Sequence, residues 1–285
     1  MPPIFDEQTL RCNRRRASPD VLATHPLLIE AASDLAMRVW AIGRPFGQVL
    51  DLYSPSPLLA EQLGAEHSVI RLLPCIPFRQ LVSANNTVIG DWLGLPLPSH
   101  SIDACVSLGA LHNANDPLAC LREMGRVLRP DGLLLANFYG GDSLFELRQS
   151  LYQADQELSG GVYPRLHPLT TVQDVGQLLQ AAGFALPVVE IDEIQLLYPN
   201  LPSVLQDLQD LGERNAVTAR PLGWPHRDLF RLAETIYRQR FGRGDGLLPV
   251  TVNLITMTAW SHGGNQPKPL KRGSAKNRLD DWIGL

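Results

Sequence analysis

Cysteine is scarce and scattered in this sequence. The four present, Cys12, Cys75, Cys105 and Cys120, form no Cys-x-x-Cys pair and no Cys/His ligand spacing. That excludes a disulfide framework, fits a reducing cytoplasm and leaves no metal expected. No apolar run approaches the roughly 18 residues of a membrane span, so no integral membrane segment is expected. The opening stretch MPPIFDEQTLRCNRRRASPD carries arginines with no hydrophobic segment behind them, unlike a secretory leader. A net charge of −4 gives no basic field to recruit nucleic acid. Also missing are a Gly-x-Ser-x-Gly elbow, a His-Glu-x-x-His pair, a phosphate loop, an iron triad and a flavin motif. What remains is an ordinary globular composition, 45% hydrophobic and 19% charged over 285 residues, enough for one large α/β domain or two small ones.

The most informative absence is local. In GQVLDLYSPSPLLAEQLG (Gly47–Gly64) a short apolar strand, Val49–Leu52, leads into an amphipathic helix, Leu58–Leu63. A nucleotide-binding α/β protein usually carries glycines in that turn; here it reads Tyr-Ser-Pro-Ser-Pro.

Elsewhere strands and helices alternate. Strands are expected at Ser68–Leu73, Thr87–Gly90, Ile102–Ser107, Leu133–Phe138, 187–197 and 250–260. Helices are expected over 20–42, Pro77–Ser83, the stretch opened by Asn115 or Asp116 with Pro117 first, Ser143–Leu151, 172–182, 203–212 and 226–241. Thr171-x-x-Asp174 reads as a capping box and Ser203-x-x-Gln206 as a second helix start. Gly242-x-Gly244-x-Gly246 follows a helix and reads as a connector. The pattern predicts a mostly parallel sheet covered on both faces. Its divisions are an N-terminal arm and helix over 1–43, an α/β domain over 44–261 with a helical insertion at 199–246, and a flexible polar tail over 262–285.

Three motifs carry a likeness to a known family: Val49-Leu50-Asp51-Leu52, VIGDWLGLPLPSHSIDACVS (Val88–Ser107) and LREMGRVLRPDGLLL (Leu121–Leu135). Together they resemble the class I S-adenosylmethionine-dependent methyltransferases. The resemblance implies a Rossmann-like α/β fold, a mostly parallel seven-stranded sheet with an antiparallel last strand. MPPIFD, FYGGDSLFELRQSL, GGVYPRLHPL, AAGFALPVVEID and KPLKRGSAKNRL narrow it. They look like the bacterial relatives of a mitochondrial complex I assembly factor implicated in arginine hydroxylation. The malonyl-carrier methyltransferase of biotin synthesis is a more distant cousin. The likeness implies a protein partner, such as a respiratory complex subunit, and a cytoplasmic site with the inner membrane as a peripheral alternative.

In that family glycines after the first strand, an acid ending the second and an Asp after the third hold the cofactor. The corresponding candidates here are Asp51, Tyr53, Arg71, Asp91, Trp92 and Leu108. Asp91 stands in the adenine-binding place or is a solvated turn acid; Asp51 serves the site or caps the neighbouring helix. Tyr53, Pro55 and Pro57 replace the glycines. A tyrosine held at positive φ costs on the order of 1–2 kcal/mol, and two prolines withdraw N–H donors. Arg71 replaces the ribose acid. The loop therefore reads as degenerate, with S-adenosylmethionine binding doubtful. Substrate or partner candidates are His112, a base or a structural histidine, with Tyr139, Asp142, Glu146 and Arg148, where Asp142 also reads as a helix cap. Trp224 belongs to a lid or a rigid corner. No catalytic residue is assigned.

Overall fold

A computed structural model of the 285-residue chain describes residues 3–64, 66–74, 86–223, 225–264 and 266. The expected helix Pro77–Ser83, Trp224 and the tail from 267 onward lie outside the described residues.

Seven strands form one sheet: β1 (Gln48–Leu52), β2 (Ser68–Leu73), β3 (Thr87–Ile89), β4 (Ile102–Leu108), β5 (Leu128–Gly140), β6 (Ala185–Tyr198) and β7 (Leu248–Trp260). Their order is β3-β2-β1-β4-β5-β7-β6. Pairs from β3 to β5 are parallel, and β7 runs antiparallel between β5 and β6. This is the Rossmann-like methyltransferase arrangement expected above. The central strands are apolar almost throughout because both faces are covered. On one face Phe46, Val49, Ala104, Val106 and Leu133 pack on Leu35 and Val39 of α3 (Pro26–Ala41) and on Leu59 and Leu63 of α4 (Leu58–Leu63). On the other, Leu50, Cys105, Leu134 and Met257 meet α5 (Pro117–Val127) and α7 (Val172–Ala181). A third cluster lies under α6 (Phe145–Ser159), α8 (Leu201–Asp210) and α9 (Leu229–Phe241), centred on Leu147, Ile236 and the fully buried Tyr237.

Several expectations from the sequence need correction. The helix read over 20–42 is two, α2 (Pro19–Thr24) and α3, because Pro26 biases His25 to an extended conformation (φ −65°, ψ 124°) and breaks the path. Before them α1 (Glu7–Arg16) was not anticipated; it has an Asp6 cap but a weakly apolar face. β5 begins at Leu128 rather than Leu133, passing through Asp131 at φ +61° instead of turning at Pro130–Gly132. Asp142 caps no helix: Leu144 adopts φ +59° as the residue preceding α6, which starts at Phe145. Asn200, not Ser203, caps α8, accepting from the Ser203 amide.

The Thr171/Asp174 capping box is present, each side chain bonding the other residue's backbone amide, and Asp116 caps α5 with Pro117 at its first turn. Thr171→Ala should lower stability by about 1 kcal/mol, visible in urea as a lower midpoint with an unchanged slope; an unmoved midpoint would show that the cap contributes nothing.

Candidate functional site

The strand order reverses between β1 and β4, the point where open α/β sheets bind ligands beyond their carboxyl ends. Here that crevice is bridged by side chains. Ser54, fully buried, donates from Oγ to Asp51 in a short hydrogen bond and accepts from the Leu108 amide at 2.9 Å. Ser107 Oγ donates across the same gap to the Leu52 carbonyl at 2.7 Å. Asp51 is itself buried and meets Arg71 Nε at 3.2 Å, from the residue directly opposite it on β2, while an Arg71 Nη reaches the Ser54 carbonyl at 3.2 Å. Burial raises the Asp51 pKa despite Arg71 and Ser54. Asp51 therefore does not cap α4, which starts after Pro57 with no side-chain cap.

Tyr53 follows β1 at φ +63°, the left-handed conformation that favours glycine. Its ring is 5% exposed and lies flat on Trp92, centroids 4.3 Å apart and planes 6° from parallel. The hydroxyl donates to the Gly90 carbonyl at 2.9 Å and accepts from the Trp92 amide at 3.3 Å. Burial, assisted by Asp91, pushes its pKa up to about 12. Arg14 of α1 lies above the stack, its guanidinium carbon 5.2 Å from the Tyr53 ring centre. Asp91 is exposed and spends one oxygen on the Leu93 amide at 2.9 Å. The space left among Arg14, Tyr53, Asp91, Trp92 and Asn113 is about 40 Å³, a few waters' worth rather than a nucleoside's.

A second cavity, about 70 Å³, opens beside the first under α8 and against α6 and β6. Its walls are mostly apolar, with Leu144, Val204 and Val250 among them, and its polar groups converge from distant segments. Tyr198 donates to Asp207 at 2.5 Å and His25 Nε2 meets the same oxygen at 3.2 Å. Burial would raise the Asp207 pKa, but the bonds from His25 and Tyr198 outweigh it and hold the carboxyl below its ordinary range. Across the cavity His112 Nε2 lies 2.9 Å from Glu213, whose pKa is lowered to about 2 because His112 and its neighbours overcome the opposing effect of burial. His167 accepts from the Ala216 amide at 2.8 Å, and burial depresses its pKa to about 4. The His112, His167 and Glu213 ligand atoms all lie within 4.8 Å of one another. The N-terminal arm holds the loop that follows Glu213: Phe5 pairs with Val217, Asp6 donates its amide to the Ala216 carbonyl at 2.8 Å, and Asn13 reaches the Arg214 carbonyl.

The sequence candidates thus separate into two groups. Asp51, Tyr53, Arg71, Asp91, Trp92 and Leu108 surround the strand crossover, where Asp51, Arg71 and the Leu108 amide bond mainly to protein groups. His112, Tyr139 and Arg148 line the second cavity. Asp142 is exposed and outside it. Glu146 is turned inward, accepting from the Thr251 hydroxyl at 2.6 Å and its amide at 3.2 Å, so it presents no carboxylate to a partner. Arg14, Ser54, His167, Tyr198, Asp207 and Glu213 were missed. His167 stands in the quoted GGVYPRLHPL, but nothing local ties it to Glu213 or Asp207.

Residues 67–136 match a methyltransferase domain family. The chain is 34% identical to the rat (Rattus norvegicus) mitochondrial arginine-hydroxylase NDUFAF5, over 99% of this chain and 84% of that protein. The chain belongs to the NDUFAF5 family. It is also 35% identical, over 71% of its length and 63% of the other's, to the malonyl-[acyl-carrier protein] O-methyltransferase of Laribacter hongkongensis. The YcgJ structure from Bacillus subtilis shares the fold, with a TM-score of 0.53 and 15% identity over 81% of this chain and 99% of that one. No helix among the described residues is long and apolar enough to cross a membrane.

Arg71→Met should cost this NDUFAF5 relative about 2–4 kcal/mol, since it strands Asp51 where water cannot reach. Adding Asp51→Asn should recover part of that loss. A double variant no more stable than the single one in chemical denaturation would mean that the pairing is not what holds the crossover.

Proposed function

We propose that this chain acts in the assembly of respiratory complex I by engaging a protein partner, with S-adenosylmethionine binding weakened or lost. The observation that carries the reading is the Tyr53–Trp92 stack at the carboxyl end of β1, where the family resemblance would lay an adenosyl group. Two further features support it. Arg71 stands in place of the ribose acid and is committed to Asp51. The space left beside the stack is small, and Ser54 ties the strand ends together beneath it. One lost charge-assisted hydrogen bond is worth about 1.5–3 kcal/mol. With the steric conflict the total is about 3–6 kcal/mol, enough to turn a micromolar site millimolar. An active methyltransferase acting on a protein or acyl carrier is the competing reading, favoured by the methyltransferase relatives; it requires the Tyr53 ring to leave its stack.

A second observation favours protein-arginine recognition. The neighbouring cavity sets the Asp207 and Glu213 carboxylates among the Tyr139 and Tyr198 rings, the combination that holds a guanidinium by ion pairing and ring stacking. The rat relative is an arginine-hydroxylase, which agrees with that chemistry. In this reading a partner's arginine enters between the two tyrosines and meets Asp207, which His25 and Tyr198 hold in place.

Calorimetric titration of S-adenosylmethionine into the pure chain should give no saturable heat below about 1 mM, and Tyr53→Gly should tighten binding by about tenfold or more. A low-micromolar wild-type site would overturn the reading. Separately, Asp207→Asn should weaken capture of an arginine-bearing partner peptide by at least about 2 kcal/mol and leave capture of the matching lysine peptide less affected. Equal losses for both peptides would remove the guanidinium assignment.

A further inference from the structure

The second cavity gathers a group of side chains whose donor set goes beyond what guanidinium recognition at Asp207 needs. His112 comes from the short 3-10 turn after β4, His167 from the loop before α7 and Glu213 from the loop after α8. Two imidazoles and one carboxylate from three separate segments meet at the cavity wall. Their chain separation explains why no ligand spacing is visible in the sequence.

We propose that His112, His167 and Glu213 form a binding site for one divalent first-row transition-metal ion, with its remaining coordination positions facing the cavity. Two imidazoles with one carboxylate suit iron, cobalt or zinc, and disfavour magnesium and calcium, which take oxygen ligands. The geometry is close to what an ion needs. Ligand atoms sharing an ion at about 2.1 Å stand roughly 3 Å apart, and His112 Nε2 and Glu213 are already 2.9 Å apart. The third ligand, His167, is within 4.8 Å of both. Its Nε2 accepts from the Ala216 amide, so the ion either takes the other ring nitrogen or replaces that amide. Ala216 lies on the same loop as Glu213, so one small loop shift serves both.

Polar atoms beside the cluster are incompletely paired. His112 Nδ1 and Asn113 Oδ1 are buried with no hydrogen-bond partner, while Asn113 Nδ2 donates to Glu213 at 3.3 Å. The His112 side chain is only 2% exposed. Buried polar atoms left unpaired in a folded protein call for water or another polar group beside them; on His112 that atom is the ring nitrogen opposite the proposed ligand. The apolar walls would slow exchange of a held ion and raise the strength of its bonds.

Titration with metal alone reads this site with neither S-adenosylmethionine nor an arginine peptide present. The full chain, stripped with chelator and dialysed, is titrated with Co(II) by visible absorption and with Zn(II) by calorimetry. One equivalent per chain is expected, with d–d bands appearing on Co(II) addition and no heat from Mg(II). Glu213→Gln and His112→Ala should each weaken binding at least about tenfold. No saturable binding up to about 1 mM, or binding unchanged in both variants, would overturn the site. As a check that needs no variant, Co(II) should shift and broaden the ring NMR signals of His112 and His167 in the wild-type chain. Effects confined to His226 or His262 would overturn it as well.

Discussion

One buried carboxylate organises the carboxyl edge of the sheet. Asp51 sits where water cannot solvate it, and Arg71 and the Ser54 hydroxyl supply the compensation. The consequence spreads through Ser54, which also holds the Leu108 amide and so ties β1 to β4 across the crossover. Fixing Ser54 fixes the residue before it, and Tyr53 is carried into the left-handed conformation with its ring folded over Trp92. The conformation costs on the order of 1–2 kcal/mol, offset by a buried ring, a stacked aromatic partner and two hydrogen bonds. The loop that departs from the methyltransferase pattern is therefore a well-packed piece of architecture.

The two cavities differ in physical character. At the strand crossover the charged and polar groups are mostly satisfied by the protein itself, which leaves little free energy for a ligand to gain. Beneath the helical insertion the carboxylates of Asp207 and Glu213 are positioned by His25, Tyr198 and His112, in surroundings that are otherwise oily. Low local polarity strengthens whatever charge arrives there. Function has room to move from one cavity to the other while the sheet stays unchanged.

The sequence made the sheet legible because its signals are local. Apolar runs bounded by Gly, Pro and Asp gave the strands, and Thr171-x-x-Asp174 and Asp116-Pro117 gave helix starts from side chains adjacent to the amides they bond. Positive φ at Tyr53 was also readable, since a family turn that wants glycine imposes that geometry on its substitute. What escaped were contacts fixed only by topology. Glu146 reads as a surface acid on a helix, yet Thr251, far along the chain, turns it inward. The boundary of α6 slipped because Leu144 takes a conformation unusual for leucine. The cavity groups His25, His167, Asp207 and Glu213 carry no shared spacing, and only the folded chain puts them side by side.

The N-terminal arm has an implication for how the molecule is made. Phe5 and Asp6 are made about two hundred residues ahead of their partners, Val217 and Ala216. During synthesis, therefore, the arm waits while the sheet's parallel half assembles, and it pairs with the loop after α8 only once that loop has been made. A nascent chain stalled before that stretch would hold every residue of the crossover, an unpaired arm and a second cavity still without its β7 wall.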